Sequence, residues 1–187
     1  SGHHRDIHSY PPRRSSDLNL AFFSKVLART HGINNVLELG SNIGLNLMAL
    51  RQLLPNSRLS AVEINANAVA ELVKNVPGID LHQGSVLDFV PSSTWDLVFT
   101  KGLLVHIHPD RLPLVYDVMH RSSSRYLMVS ESYNPNPTEI NYRGHEARYF
   151  KRDFPGELMA RFSDLKLCDY GFVYKRDPVF PQDDTFW

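Results

Sequence analysis

The stretch Glu38-Leu39-Gly40-Ser41-Asn42-Ile43-Gly44 decides how this chain reads. It continues the apolar run Val36-Leu37, so a short strand ends in an acid and runs into a glycine turn. Gly40 lets the backbone turn sharply and lets a ligand approach it. Gly44 sits where a helix must pack close to that turn. The helix carries Leu47, Leu50, Leu53 and Leu54 at helical spacing, and Pro55 closes it. Its first turn offers free N–H groups and the positive end of the helix dipole. A dinucleotide site has Gly-x-Gly-x-x-Gly at this place. Here the third glycine is missing, and Glu38 would repel a pyrophosphate. An acid at that strand end suits a cationic ligand with an amino group.

The same alternation extends in both directions. Upstream, Ser15-Ser16-Asp17 has helix N-cap chemistry, and Leu18, Phe22, Val26 and Leu27 predict a helix to about Thr30. Downstream, strands are predicted at 58–64, 79–82, 96–99 and 125–130. Helices are predicted at 65–75 and from Pro109, the latter with Leu112, Val115, Val118 and Met119 on its apolar face. A helix at 154–162 and a strand at 165–173 follow, and 184–187 reads as the start of one more strand. The stretch from Ser132 to Phe150 lacks periodicity and reads as a long loop, functional or disordered. Strand and helix at this pitch predict a Rossmann-like, seven-stranded, mostly parallel α/β sheet with helices on both faces and its last strand antiparallel.

Length and composition bound the rest. The 187 residues suit one domain, read as an arm or tag remnant over 1–14 and the domain over 15–187. Twenty basic residues balance twenty acidic ones, which removes the global electrostatic case for a nucleic-acid binder. The lone Cys168 excludes an internal disulfide or a cysteine zinc cluster and points to a reducing, cytoplasmic setting. His3, His4 and His8 lie in the tag-like opening, so no metal site is expected. No apolar run approaches the roughly 20 residues that span a bilayer.

Two further markers share the sheet's ligand edge. Glu63 ends the second strand, about 20 positions after the glycine turn, where an acid can accept both hydroxyls of a ribose. Gly84-Ser85-Val86-Leu87-Asp88 is a polar turn after the third strand, placed to grip an adenine edge. Together with Glu38, Gly40 and Gly44, these residues resemble the class I S-adenosylmethionine (SAM)-dependent methyltransferases from about Val36 onward. The resemblance implies SAM as cofactor, lined by Glu38, Gly40, Ser41, Asn42 and Gly44. It gives the ribose to Glu63 beside Ile64, and the adenine to Ser85 and the Val86 backbone N–H. Asn42 replaces the family's usual middle glycine, and Ser85 stands where many members have Asp.

The chain is also similar to a narrower group, the methylases associated with pseudaminic acid biosynthesis. The matching stretches are Val36–Gly40, Phe99–Ile107, Tyr142-Arg143-Gly144-His145, Phe150–Phe154 and Asp169–Tyr174 through Asp183-Asp184. That similarity implies a nonulosonic sugar acid, or its precursor, as the small polar acceptor. Two other readings stay open from the residues alone: a nicotinamide-dependent oxidoreductase, and a non-catalytic SAM- or nucleotide-binding module.

The loop after the fourth strand normally faces the transferred methyl group in this fold. Here it reads Thr100-Lys101-Gly102-Leu103-Leu104-Val105-His106, without the Asn/Asp-Pro-Pro-Tyr/Phe motif of DNA and glutamine amino-methyltransferases. His106 is the candidate base because its titration range suits proton transfer. Lys101 is a candidate for catalysis and for cofactor or substrate contact, with a solvated lysine as its other reading. Arg143, His145 and Arg148, with Tyr133 and Tyr142, are candidates for the acceptor: guanidinium forks suit a carboxylate and tyrosines suit sugar hydroxyls. Lys151 and Arg152 read as a solvated helix start, His108 as a helix-entry residue, and Asp96 and Trp95 as structural.

Overall fold

The structure is a computed structural model that describes residues 12–142, 145–177 and 183–187. Helix α1 (Pro12–Leu27) precedes strand β1 (Asn35–Leu39), followed by α2 (Leu45–Leu53), β2 (Arg58–Glu63), α3 (Ala66–Asn75), β3 (Asp80–Gln83) and β4 (Trp95–Lys101). Then come α4 (Leu112–Ser122), β5 (Ser123–Ser132), β6 (Thr138–Tyr142), β7 (His145–Lys151), α5 (Phe154–Arg161), β8 (Phe172–Val173) and β9 (Thr185–Phe186). Seven strands form one sheet in the order β3-β2-β1-β4-β5-β9-β8. The first five are parallel, and β9 runs antiparallel to both β5 and β8. The expected Rossmann-like sheet is therefore present.

The two faces follow from strand alternation. Val36, Leu97 and Phe99 pack with Phe22 and Phe23 of α1, Leu47 and Leu50 of α2 and Leu72 of α3. Leu37, Leu39 and Val98 point the other way, to Val115 and Met119 of α4 and Phe154 and Leu158 of α5. Glu38 shares the parity of Val36, so it faces α2. Strand order reverses between β1 and β4, which opens a crevice at their carboxyl ends.

Three boundaries differ from the sequence expectation. Helix α1 starts at Pro12, three residues before Ser15, because proline's fixed φ suits a first helical turn. The 132–150 stretch is a loop only at its start: Thr138–Tyr142 and His145–Lys151 pair as an antiparallel hairpin, with Ile140 opposite Tyr149. The predicted strand at 165–173 shrinks to Phe172–Val173, since β9 offers only two residues to pair with. The remaining helices and strands lie within a few residues of their predicted positions.

Local chemistry explains the punctuation of the sheet edge. Asp96 accepts the backbone N–H groups of Asn34 (2.8 Å) and Asn35 (3.3 Å), tying the entries of β1 and β4 together. Trp95 is buried, and its indole N–H donates to Ser60 at 2.9 Å. Asn65 caps α3 by accepting from the N–H groups of Asn67 and Ala68. His108 accepts from the N–H of Asp110 at the turn before α4, as a helix-entry residue does. Among the described residues no helix is long and apolar enough to cross a membrane.

Candidate functional site

Four charged side chains meet at the carboxyl ends of the parallel strands. Glu38 comes from β1, Glu63 from β2, Lys101 from β4 and Glu131 from β5. Glu38 is fully buried. Its Oε1 accepts from Asn46 Nδ2 of α2 at 2.6 Å, and its Oε2 has no protein partner. Burial pushes its carboxyl up from 4.5 to about 8, against the opposing pull of the Asn46 hydrogen bond and the Lys101 charge.

The turn after β1 is built around that acid. Gly40 has φ +75° and its N–H donates to Val62 O at 2.8 Å. A Cβ there would come within 2.8 Å of the Leu103 side chain, so the turn after β4 rests directly on Gly40. Gly44 has φ +84°, and a Cβ would lie 2.4 Å from Leu72 Cδ1, which is the close helix approach read from the sequence, made by α3. Asn42 adopts φ 49°, a left-handed conformation that asparagine tolerates better than most residues. Ser41 is buried and its hydroxyl has no protein partner.

Glu63 ends β2 almost completely buried. Its two oxygens accept the N–H groups of Asn42 (2.7 Å) and Asn65 (2.8 Å). It therefore fixes the glycine turn and the start of α3 relative to each other. A carboxylate has about four lone-pair sites, so acceptor capacity remains. Ile64, the next residue, is 68% exposed, an uncovered apolar side chain beside this acid. Ser85 Oγ accepts the Leu87 N–H and shapes the turn after β3, while the Val86 side chain is buried.

Lys101 is not the solvated lysine that was one of its two readings. Burial lowers its pKa, and the charges of Glu38 and Glu131 oppose that shift. Its Nζ lies 5.7 Å from the centre of the Phe22 ring of α1. Glu131 was not singled out from the sequence. It is 2% exposed and accepts the Leu103 N–H at 3.0 Å, with a longer contact from the Val105 N–H at 3.4 Å. Burial lifts its carboxyl to about 7, although these backbone donors pull it down. The signal available in the sequence was an acid ending an apolar strand, the same pattern as Glu38 and Glu63.

His106 stands exposed on the turn after β4, and its ring meets Tyr149 of β7 edge-on at 5.4 Å between centroids. The Tyr149 hydroxyl in turn bonds Ser132 Oγ. The hairpin thus borders the turn that carries His106. Tyr133 places its ring 5.1 Å from Phe186 and its N–H on Asp184 O, against β9. The backbones of Tyr142, His145 and Arg148 lie on β6 and β7, and Arg143 lies outside the described residues. Lys151 pairs with Asp183, and Arg152 pairs with Glu157 at 2.7 Å. These are part-buried ion pairs, where the sequence suggested a solvated helix start. A cavity of about 310 Å³ opens elsewhere, lined by Tyr126, Met128, Leu165 and Tyr170, and contains none of the four charged residues.

Comparison with known proteins agrees with this fold. Residues 36–124 match the family model described as a methyltransferase domain. Over 79 residues the chain is 29% identical to a tRNA1(Val) (adenine(37)-N6)-methyltransferase of Pseudoalteromonas translucida, covering 40% of this chain and 34% of that protein. The chain therefore spans about a third of the length of that curated relative. Among solved structures, a SAM-bound amino pentose methyltransferase from Micromonospora echinaspora superposes with TM-score 0.66 at 12% identity, covering 98% of each chain. The N-methyltransferase NodS of Bradyrhizobium japonicum, with S-adenosylhomocysteine, gives TM-score 0.64 at 16% identity over 93% of this chain and 82% of that one. Residues 36–124 thus match a methyltransferase domain, and the chain shares the fold of SAM- and S-adenosylhomocysteine-bound methyltransferases.

Proposed function

We propose that this protein transfers a methyl group from SAM to a small polar acceptor, a nonulosonic sugar acid or its precursor. The observation that carries the first half is the buried, unpartnered Oε2 of Glu38 at the reversal of strand order. A buried carboxylate oxygen without a donor is costly, and an ammonium would satisfy it. The unpartnered Ser41 hydroxyl beside it and the uncovered Ile64 side chain fit the same ligand, which combines a charged end with an aromatic end.

On this reading Glu38 and the Gly40–Gly44 turn hold the amino acid end of the cofactor. Glu63 takes the ribose, while Ile64, Ser85 and the Val86 N–H take the adenine. SAM supplies an activated methyl group on a sulfonium, so the protein's own work is alignment and exclusion of water. Lys101 balances the surrounding acids. His106 stands on the turn between cofactor and hairpin, and it accepts the acceptor's proton where the acceptor is a hydroxyl or a protonated amine. Tyr142, Arg143, His145 and Arg148 of the basic stretch, with Tyr133, provide the guanidinium and hydroxyl partners that a sugar acid needs.

The sugar-acid class rests on the similarity to pseudaminic-acid-associated methylases and on this basic, tyrosine-rich stretch. The similar amino pentose methyltransferase also acts on a sugar. An RNA acceptor is the second reading, favoured by the tRNA methyltransferase relative. Incubation with isotope-labelled SAM, candidate sugar acids and unmodified tRNA distinguishes them. A labelled methyl group on a sugar acid supports the proposal, and label on tRNA alone overturns it.

A further inference from the structure

Glu131 does something the cofactor reading does not require. It lies on β5, one strand beyond the reversal of strand order, and its carboxylate sits against the turn after β4. Two of the amides it faces are Leu103 at 3.0 Å and Val105 at 3.4 Å, with the Leu104 amide between them also directed at it. Successive amides of one turn form a small anion-binding nest, and here the anion is a side chain of the protein. The nested turn is anchored a second time, because the Gly102 N–H donates to Ser130 O at 3.0 Å.

That turn touches both halves of the site. Its Leu103 side chain covers Gly40. Its far end carries His106 against Tyr149 of the hairpin. Lys101 immediately precedes it and feels the charges of both Glu131 and Glu38. We infer that Glu131 is a positioning residue whose ionised carboxylate latches the 103–106 turn, setting Leu103 over Gly40 and His106 beside the hairpin, and whose protonation loosens that turn.

The groups around it set the sign. Lys101 on β4 favours the ionised form, as do the backbone donors. Tyr116 on α4 is close enough for Glu131 to help raise the phenol's pKa, and it donates its own hydrogen bond to Glu157 at 2.8 Å. From β9 the paired residues are Phe186 and Thr185, which do not titrate. Burial opposes ionisation and brings the carboxyl to about 7. The latch is therefore set above neutral pH and released below it.

The inference rests on the methyltransferase reading only for what the turn faces, so the test has one arm free of any ligand. In the full chain, the amide resonances of Leu103 and Val105 are followed by two-dimensional NMR from about pH 5.5 to about pH 8.5. Wild type should show both moving together with one midpoint near 7, the value to which burial lifts Glu131. E131Q, which keeps shape but not charge, should abolish that common transition. A second arm measures S-adenosylhomocysteine by calorimetry. E131Q should bind about tenfold more weakly than wild type at the alkaline end, the scale of one lost net hydrogen bond, and equally at the acid end. Leu103 and Val105 amides that do not titrate, or that titrate identically in E131Q, overturn the latch. If E131Q does not fold, the wild-type titration still decides. Wild type that shows the amide transition but no binding overturns the cofactor reading and leaves the latch standing.

Discussion

Glu38 shows how burying one carboxyl ties stability to pH. Its folded carboxyl, lifted by burial to about 8, holds a proton that the unfolded chain releases above about 4.5. The folded state binds the extra proton between those values, so stability is fully present below about 4.5 and is lost as pH rises through about 8. E38Q removes this dependence. Its Tm should fall less than that of wild type between about pH 5 and pH 8, by about 2–4 °C for each kcal/mol recovered. Equal slopes in thermal denaturation would show that Glu38 ionises normally. The bound ammonium of S-adenosylhomocysteine should reverse the trend, favouring the carboxylate and tightening binding as pH rises in wild type but not in E38Q. Glu63→Ala should weaken the same ligand by about 1–3 kcal/mol, the scale of a lost charged hydrogen bond. Unchanged calorimetry would remove the ribose from Glu63. His106→Ala should lower kcat about a hundredfold or more with cofactor affinity intact, which a turnover assay at several pH values checks. Glu38, Glu63 and the glycines were legible because local sequence gives their places: an acid or glycine at the end of an apolar run. Asn46 was not, because its partner lies on another element; Glu131 also ends an apolar run, but its amide partners lie across a strand pair, and single-sequence pattern carries no such pairing.

At the scale of elements, the turn between β1 and α2 is held by packing as much as by its own backbone. Gly44 combines a left-handed φ of +84° with contact to Leu72 and Val76 of α3. Gly44→Ala should cost at least about 1–2 kcal/mol from the left-handed backbone alone, with steric displacement of Leu72 added. Asn42→Gly, at φ 49°, should be near neutral because asparagine already tolerates that region. Chemical denaturation of the two variants checks the contrast, and equal losses would mean the α3 contact is unimportant. The parallel strands and their helices were readable for a related reason: each buries one face or both, which writes a clear period into the sequence. The β6–β7 hairpin was not. Its two strands stand apart from the main sheet and pair with each other, so polar residues break up both, as in Thr138-Glu139 and His145-Glu146. The 165–173 run has the opposite fault: its apolar residues Leu165 and Leu167 promise a strand, but the sheet offers it only a two-residue partner.

For the whole molecule, zero net charge hides a separation of charge. The carboxyl ends of the parallel strands gather Glu38, Glu63 and Glu131 against Lys101, a setting that favours a cation. A sugar carboxylate entering that end would meet repulsion unless cations from another element received it. The basic stretch from Arg143 to Arg152 is the element that can do so, and two of its members are already engaged, Lys151 with Asp183 and Arg152 with Glu157. On the proposed reading Arg143, His145 and Arg148 receive the acceptor. Arg143→Ala with Arg148→Ala should raise the acceptor KM about tenfold or more while kcat at saturation changes little, since removing uniform binding acts on KM. The salt dependence supplies an independent check. Wild-type KM for an anionic acceptor should rise with ionic strength as the Debye length shrinks from about 10 Å at 0.1 M salt toward about 3 Å at 1 M. The double variant should lose most of that rise. A KM unaffected by both changes would place the acceptor's carboxylate elsewhere. S-adenosylhomocysteine affinity, measured in the same variants, should stay constant, because the proposed reading gives these arginines to the acceptor and the cofactor's charged end to Glu38.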